Sequence, residues 1–423
     1  MYQVDNAAKV FSEHRKAGRT GKRWVNQTVL ALGMTSLFTD ISSEMITAIL
    51  PMYLVFGLHL SPLAFGVVDG LYAGATAVVR LLGGFVADRA RRHKEVAVVG
   101  YFLSTVTRAG LLFVGSSLTA LAGLLLVDRL GKGIRTAPRD AMISLATPPM
   151  HWGSAFGVHR SLDMAGALTG PVLAFAVLAA APGSYDAVFM VSFCAGLIGL
   201  AVIVLYVPRP AQQSTAALGP AVSLRAAARL VRAPGVAPLL VAATLLGLTT
   251  VSDAFIFLTL QERLQFNLGL FPLLYVATAL VFMVLAVPVG RLADRVGRGR
   301  VFVGGYLGLL ALYGILLFSD GTVAAIAALV MLGAFYAATD GVLMALAGES
   351  LPEELRGSGL ALVTTATSLA RLASSVLFGL LWTVMDVQTA IVVFSAGLGL
   401  AIVAAALLVG RRRPQEIDAD IVK

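Results

Sequence analysis

Long apolar stretches recur along almost the whole of this 423-residue chain, and they constrain its fold more than any other feature. A helix needs about 20 apolar residues to cross the hydrocarbon core of a bilayer. Helices are indicated rather than strands, because the alternating strands of a membrane barrel give a much weaker apolar signal. With 58% hydrophobic and only 13% charged residues, the chain is predicted to be an all-α membrane protein. About twelve stretches reach the required length, near 28–56, 62–87, 96–116, 119–137, 157–181, 187–207, 236–260, 271–290, 301–318, 322–348, 359–384 and 388–410.

The segments outside these stretches that carry several basic residues are all predicted to lie on one side of the membrane. They precede the first stretch and follow the second, the eighth and the last, whereas the connections near 57–61, 117–118, 182–186 and 319–321 carry no Lys or Arg. Positive loops stay on the cytoplasmic side of a membrane, so we expect both termini in the cytoplasm. The alanine-rich composition favours a bacterial inner membrane. The net charge of +9 therefore reflects topology, and we expect a lipid bilayer and no nucleic acid as the surroundings.

Two apolar halves are joined by a polar linker. The first 24 residues lack the apolar core and cleavage site of a secretory signal, so we expect no cleaved peptide. Cys194 is the only cysteine, and the five histidines lack metal-ligand spacing, so we expect no intramolecular disulfide and no metal. We also expect a monomer without a cofactor. The predicted division is an N-terminal segment over 1–24, a six-helix bundle over 25–207, a cytoplasmic linker over 208–235, a second six-helix bundle over 236–410 and a cytoplasmic tail over 411–423.

A short charged motif occurs at the same position in each half. The sequence GFVADR at 84–89 is echoed by GRLADR at 290–295, and the offset 290 − 84 = 206 is close to half of the chain. Two similar halves in a membrane chain are typical of a transporter whose binding site lies between them.

These residues make the chain resemble the major facilitator superfamily over nearly its whole length. The resemblance implies two six-helix bundles around a central cavity, a small-molecule substrate and no enzymatic reaction. An aspartate among arginines at a helix end can latch neighbouring helices while the halves rock; the alternative is a topology anchor alone. The family's G-x-x-x-D-R-x-G-R-R-like loop is matched after the second helix by Gly84, Asp88 and Arg89, and after the eighth by Gly290, Asp294, Arg295, Gly297 and Arg298.

Two further family patterns lie in the fourth and fifth helices. Residues 129–133 look like the R-x-x-Q-G motif, with Lys132 in place of the glutamine. A charge at membrane depth normally faces a partner or a wet cavity, so Arg129 and Lys132 are predicted cavity residues. The fifth helix is similar to the pattern associated with antiporters, which favours export, and ordinary close packing is the alternative. That pattern consists of Gly157, Gly166, Gly170 and Pro171.

Two carboxylates lie midway along the first helix. Asp40 and Glu44 are four residues apart and so share one face. In a poorly solvated cavity the two disfavour simultaneous ionisation, so at least one should hold a proton at neutral pH. The alternative is an ion pair of each with Arg108 or Arg129. We add Asp163 to the candidate proton carriers, and Arg108 and Asp253 to the candidate cavity residues.

The energy source is expected to be an ion gradient. The Gly131-Lys132 pair is not a phosphate-binding loop, because Leu126 stands where the first glycine would be. Protons suit buried carboxylates, and sodium is the alternative ion. Three functions remain open: a proton-coupled exporter, a proton symporter that imports an anionic metabolite, and a non-transporting receptor or assembly protein of the same fold.

Overall fold

The computed structural model describes residues 26–74, 92–115, 117–208, 236–349 and 356–410. Within these ranges the chain is almost entirely helical and contains no strand. Nine helical stretches of the described residues are long and apolar enough to cross a membrane. The predicted all-α architecture is therefore confirmed, whereas the linker after residue 208, the first charged loop with Gly84, Asp88 and Arg89, and the two terminal segments lie outside the described residues.

The described residues of the first half form six helices. Asn26 caps the first of them, since its side chain accepts a hydrogen bond from the backbone N–H of Thr28 at 3.1 Å. A π-helical turn over Tyr53–Gly57 follows the same helix, just after Pro51. The helices are α1 (Gln27–Met52), α2 (62–74), α3 (His93–Leu111), α4 (Leu118–Leu145), α5 (Trp152–Ala180) and α6 (Tyr185–Tyr206).

The described part of the second half forms seven helices, because the apolar stretch predicted as continuous over 236–260 is broken. Its two parts, α7 and α8, are separated by residues 249–252. The helices are α7 (Ala237–Leu248), α8 (Asp253–Leu264), α9 (Phe271–Val296), α10 (Arg298–Phe318), α11 (Thr322–Glu349), α12 (Arg356–Val384) and α13 (Val387–Gly410).

Side chains satisfy the backbone groups that the break between α7 and α8 sets free. The Tyr313 hydroxyl donates to the Thr249 carbonyl at 3.1 Å and accepts from the Val251 N–H at 2.7 Å. Ser374 Oγ donates to the Thr250 carbonyl at 2.6 Å. Irregular backbone at membrane depth persists only where such partners replace the helical hydrogen bonds, so α10 and α12 hold the break in place.

Each half packs mainly on itself. In the first half α1 lies against α5 and α6, and α3 lies against α4; in the second half α11 lies against α9 and α10, and α7 lies against α12 and α13. Contacts between the halves are made by α9 with α5 and α1, and by α8 with α1. The described helices thus form two bundles, as the duplicated sequence predicts.

The two halves are sealed together where α2 begins and α12 ends, which we call the closed end. A Cβ atom on Gly70 would lie 2.8 Å from the Leu372 carbonyl oxygen, and one on Gly379 would lie 3.1 Å from the Pro62 carbonyl carbon. Ser375 Oγ donates a hydrogen bond to Asp69 Oδ2 at 2.7 Å across this seam. Because the helices touch backbone to backbone, neither glycine can carry a side chain without opening the closed end.

Candidate functional site

A buried ion network occupies the middle of the first half. Asp128 of α4 accepts from Arg108 of α3 through Oδ1, and from Arg129 through Oδ2, with an Arg129 Nη2 to Oδ2 distance of 2.6 Å. All three residues are at most 5% exposed. When two guanidinium groups bind a buried carboxylate, their charges and hydrogen bonds offset the cost of removing it from water. The structure therefore pairs Arg108 and Arg129 with Asp128, and not with Asp40 or Glu44 as the ion-pair alternative required.

The network extends to α1 and α2. Arg108 Nη2 donates to Ser43 Oγ at 2.8 Å, and the Arg129 guanidinium lies 3.8 Å from the ring centroid of Tyr72. The Tyr72 hydroxyl is 2.8 Å from Thr47 Oγ1. A cavity of about 10 Å³ lies among these side chains, which is room for about one water molecule. This region fixes four helices against one another and is too small to hold a transported molecule.

The carboxyl groups of Asp40 and Asp163 meet between α1 and α5. They lie within hydrogen-bonding reach of each other. Asp163 also accepts from the exposed Arg160 at 2.9 Å and lies 3.9 Å from Arg139 Nη1. Ionised carboxylates only accept hydrogen bonds, so a bond between these two requires a proton on one of them. Two of the three predicted proton carriers are thus brought together from different helices.

Glycines of α5 create this meeting point. A Cβ atom on Gly166 would lie 3.1 Å from Cβ of Asp40, and one on Gly170 would lie 2.9 Å from Cβ of Glu44. Small residues let two helices approach this closely. The antiporter-like pattern therefore seats α5 against the two carboxylates of α1. Gly157 is different, because no atom lies within 4 Å of the position of its missing Cβ.

Two cations of α4, Lys132 and Arg135, face the same region. Lys132 lies close enough to Asp40 and Glu44 to interact with them electrostatically. Neither Lys132 nor Arg135 forms an ion pair within the part of the chain that the structure describes. Arg135 stacks on Tyr101, with 4.7 Å between its guanidinium carbon and the ring centroid.

The second half contributes Asp253, the first residue of α8. Its Oδ1 accepts a hydrogen bond of 2.5 Å from the Tyr336 hydroxyl of α11. Asp340 and Arg371 form a looser pair at 3.8 Å. The structure thus places Asp253 against α11 in the second half, whereas Arg108 and Arg129, two candidate cavity residues with which it was grouped, lie in the Asp128 network of the first half.

The second charged loop joins α9 to α10. Arg298 donates to Asp294 Oδ1 through Nη2 at 2.9 Å, and Gly297 between the helices has a φ of +104°, which favours glycine. The Asp294 side chain is 63% exposed, so the pair is a surface contact between consecutive helices. No atom lies within 4 Å of the missing Cβ of Gly290, and the last turn of α9 includes Arg295.

Comparison with known proteins decides the family. A family model described as Major Facilitator Superfamily matches residues 32–286 and 254–420, which together cover most of the chain. The chain belongs to the major facilitator superfamily. It is 28% identical over 411 residues to an uncharacterised MFS-type transporter of Methanocaldococcus jannaschii, covering 95% of this chain and 98% of that protein. An uncharacterised protein of Mycobacterium bovis is 32% identical over 185 residues, which is 43% of this chain and 45% of that one.

Solved structures of superfamily transporters have the same fold. The crystal structure of the nucleoside transporter NupG has a TM-score of 0.76 at 13% identity, covering 91% of this chain and 100% of that one. A bacterial homologue of the human lysosomal transporter Spinster, in an inward-facing conformation, has a TM-score of 0.73 at 13% identity and covers 94% and 100%. The predicted superfamily fold is confirmed, and the protein is a multi-pass membrane transporter and not an enzyme.

Sequence reasoning missed two residues of the site. Asp128 is one of several charges at apparent membrane depth, and sequence reasoning does not select it although it selects its neighbour Arg129. Its signal was the adjacent position, since a buried arginine normally has a carboxylate nearby. Asp69 is another of these charges and is not selected either. Its signal is the helical spacing of Gly66 and Gly70 around it, which is typical of a close helix contact.

Proposed function

We propose that this transporter is proton-coupled and that the Asp40 and Asp163 carboxyl groups carry the proton. The supporting observation is their approach across α1 and α5, since a hydrogen bond between two carboxyl groups requires a proton on one of them. Glu44 lies one turn further along α1, beside Lys132, and is proposed as a second acceptor.

Efflux by proton antiport is the version that the α5 glycine pattern favours. With both termini in the cytoplasm of a bacterial inner membrane, the closed end faces outward and cargo enters from the cytoplasm. Substrate and proton would then occupy the site alternately while the halves rock. An antiporter of this kind suits a cationic cargo, since cargo and protons compete for the same carboxylates.

Import of an anionic metabolite by proton symport is the second candidate, and the unpaired Lys132 and Arg135 favour it. Protonation of the Asp40–Asp163 pair removes negative charge beside these cations, so it strengthens their attraction for an anion. The two candidates therefore differ in the sign of the coupling between cargo and proton.

The sign of the coupling between cargo binding and proton binding can be measured as the release or uptake of protons when cargo binds. The purified protein is first screened by thermal shift against lipophilic cations, small organic anions and nucleosides, because a ligand of the folded state raises its stability. A ligand that binds is then added to weakly buffered protein with a pH-sensitive dye. Antiport predicts that cargo binding releases protons, and symport predicts that it takes protons up.

Asp40→Asn tests the assignment of the proton site. We expect this variant to bind the ligand without the proton exchange, and to lose gradient-driven transport in proteoliposomes while retaining exchange of cargo. The matched control is Asp186→Asn, which changes an exposed aspartate at the start of α6. Proton exchange of wild-type size in Asp40→Asn would show that this carboxylate is structural. Loss of transport with intact folding argues against the receptor or assembly function.

A further inference from the structure

Arg135 is a buried cation that the proton site does not use. Its side chain lies inside the first half with the residue 3% exposed, and its Nη1 atom has no hydrogen-bond partner. A guanidinium stays charged in proteins. A buried charge without an ion-pair partner is strongly unfavourable. An anion bound beside Arg135 would therefore stabilise this side chain.

The anions around Arg135 are already engaged. Asp128 is held by Arg108 and Arg129, and Asp163 lies against Arg160 and Arg139. Arg139 also pairs with Asp140 at 3.0 Å. Asp40 is within reach of Asp163. Asp40 and Asp128 are near enough to interact with Arg135 electrostatically, but no carboxylate among the described residues forms an ion pair with it.

The surroundings hold Arg135 in place and add a further donor. A Cβ atom on Gly100 would lie 2.7 Å from the Gly131 carbonyl oxygen and 2.8 Å from Cβ of Arg135, so α3 and α4 are in backbone contact and fix the stem of the arginine. The Tyr101 ring supports the guanidinium. The Tyr101 hydroxyl is also buried without a hydrogen-bond partner, so it can donate to the same ligand.

Lys132 completes the arrangement. It precedes Arg135 by three residues on α4, which puts the two on one helix face. It is half-buried and, like Arg135, unpaired within the described part of the chain. A rigid guanidinium fork beside an ammonium group matches a carboxylate or a phosphate group.

We propose that Arg135 and Lys132, with the Tyr101 hydroxyl, form a binding site for an anionic group, either a carboxylate or a phosphate. The anion is a group of the transported molecule or a free anion that stays in the protein. Only its assignment to cargo rests on the proposed transport function. An anionic cargo group here would select the symport candidate, because protonation of the nearby carboxyl pair strengthens its binding.

The test is the thermal stabilisation of the full-length, detergent-purified protein by inorganic phosphate and by succinate. Ionic strength is kept constant with sodium chloride, so that general salt effects are common to all samples. We expect one of the two probes to raise the unfolding temperature of the wild-type protein. We expect that shift to be lost in Arg135→Gln and in Lys132→Gln and to be unchanged in Arg160→Gln, whose side chain is 73% exposed.

Lys132→Gln carries the test if Arg135→Gln does not fold, because Lys132 is only half-buried. The proposal is overturned if neither probe stabilises the wild-type protein, or if the folded variants respond as the wild type does. Asp40→Asn should strengthen the response, since it removes negative charge beside Lys132. A variant that has lost proton coupling but still responds to the anion thus distinguishes a failure of the proton site from a failure of the anion site. Movement of the labelled probe into proteoliposomes identifies cargo, and binding without movement identifies a resident anion.

Discussion

Gly70→Val should open the closed end. A Cβ atom at this position would lie 2.8 Å from the carbonyl oxygen of Leu372 and 3.3 Å from its Cα atom. These are backbone atoms of α12, so they cannot rotate away and the helices must separate. Overpacking of this kind costs about 1–3 kcal/mol, and the cost falls only on the state in which α2 touches α12. The balance between closed and open states should therefore shift by about 5–150-fold toward opening.

The distance across the closed end reports this shift. Spin labels are placed at Ser61 in the first half and Met385 in the second, both exposed, after Cys194 has been replaced by alanine. Double electron–electron resonance should show one short distance in the parent protein and a longer population in Gly70→Val. Gly123→Val is the matched control, because no atom lies within 4 Å of its missing Cβ. Unchanged distances in Gly70→Val, or the same change in Gly123→Val, would refute the reasoning.

Two further substitutions test the remaining contacts. Asp128→Asn should destabilise the protein by about 3–5 kcal/mol, because Arg108 and Arg129 lose the carboxylate that they share; chemical or thermal unfolding measures this, and a loss no larger than in the exposed-site variant Asp186→Asn would contradict it. Asp294→Asn removes a surface pair worth only about 0.3–0.5 kcal/mol, so stability and ligand binding should be retained while turnover in proteoliposomes slows. Wild-type turnover would leave the Asp294 loop as a topology anchor.

The fold was largely predictable because the apolar composition of membrane-spanning helices identifies them in the sequence. Each helix satisfies its own backbone hydrogen bonds, so its existence depends on local apolar length and not on distant residues. The break at Thr249–Ser252 escaped this reasoning for the opposite reason. Its backbone groups are satisfied by Tyr313 and Ser374, which lie far away in sequence, and no local pattern reveals such partners.

The sequence selects candidate site residues but does not predict which of them come together. Helical spacing identifies neighbours on one helix, and it selected Asp40 with Glu44. The structure instead brings Asp40 to Asp163 of α5, a contact set by how α1 and α5 pack. Gly166 and Gly170 held the relevant signal, since glycines at this spacing mark the face that another helix approaches. Their sequence pattern does not say which helix that is.

The same packing restricts how the proposed proton site can work. Gly166 and Gly170 place α5 in direct contact with α1, and α1 is also tied to the Asp128 network through Ser43 and Arg108. Separating Asp40 from Asp163 would require these contacts to break within one half of the protein. Rocking of the two halves leaves the contacts intact. If the pair carries the proton, its release therefore depends on a change in the water and cargo that reach the carboxyl groups as the cavity opens, and not on movement of α1 away from α5.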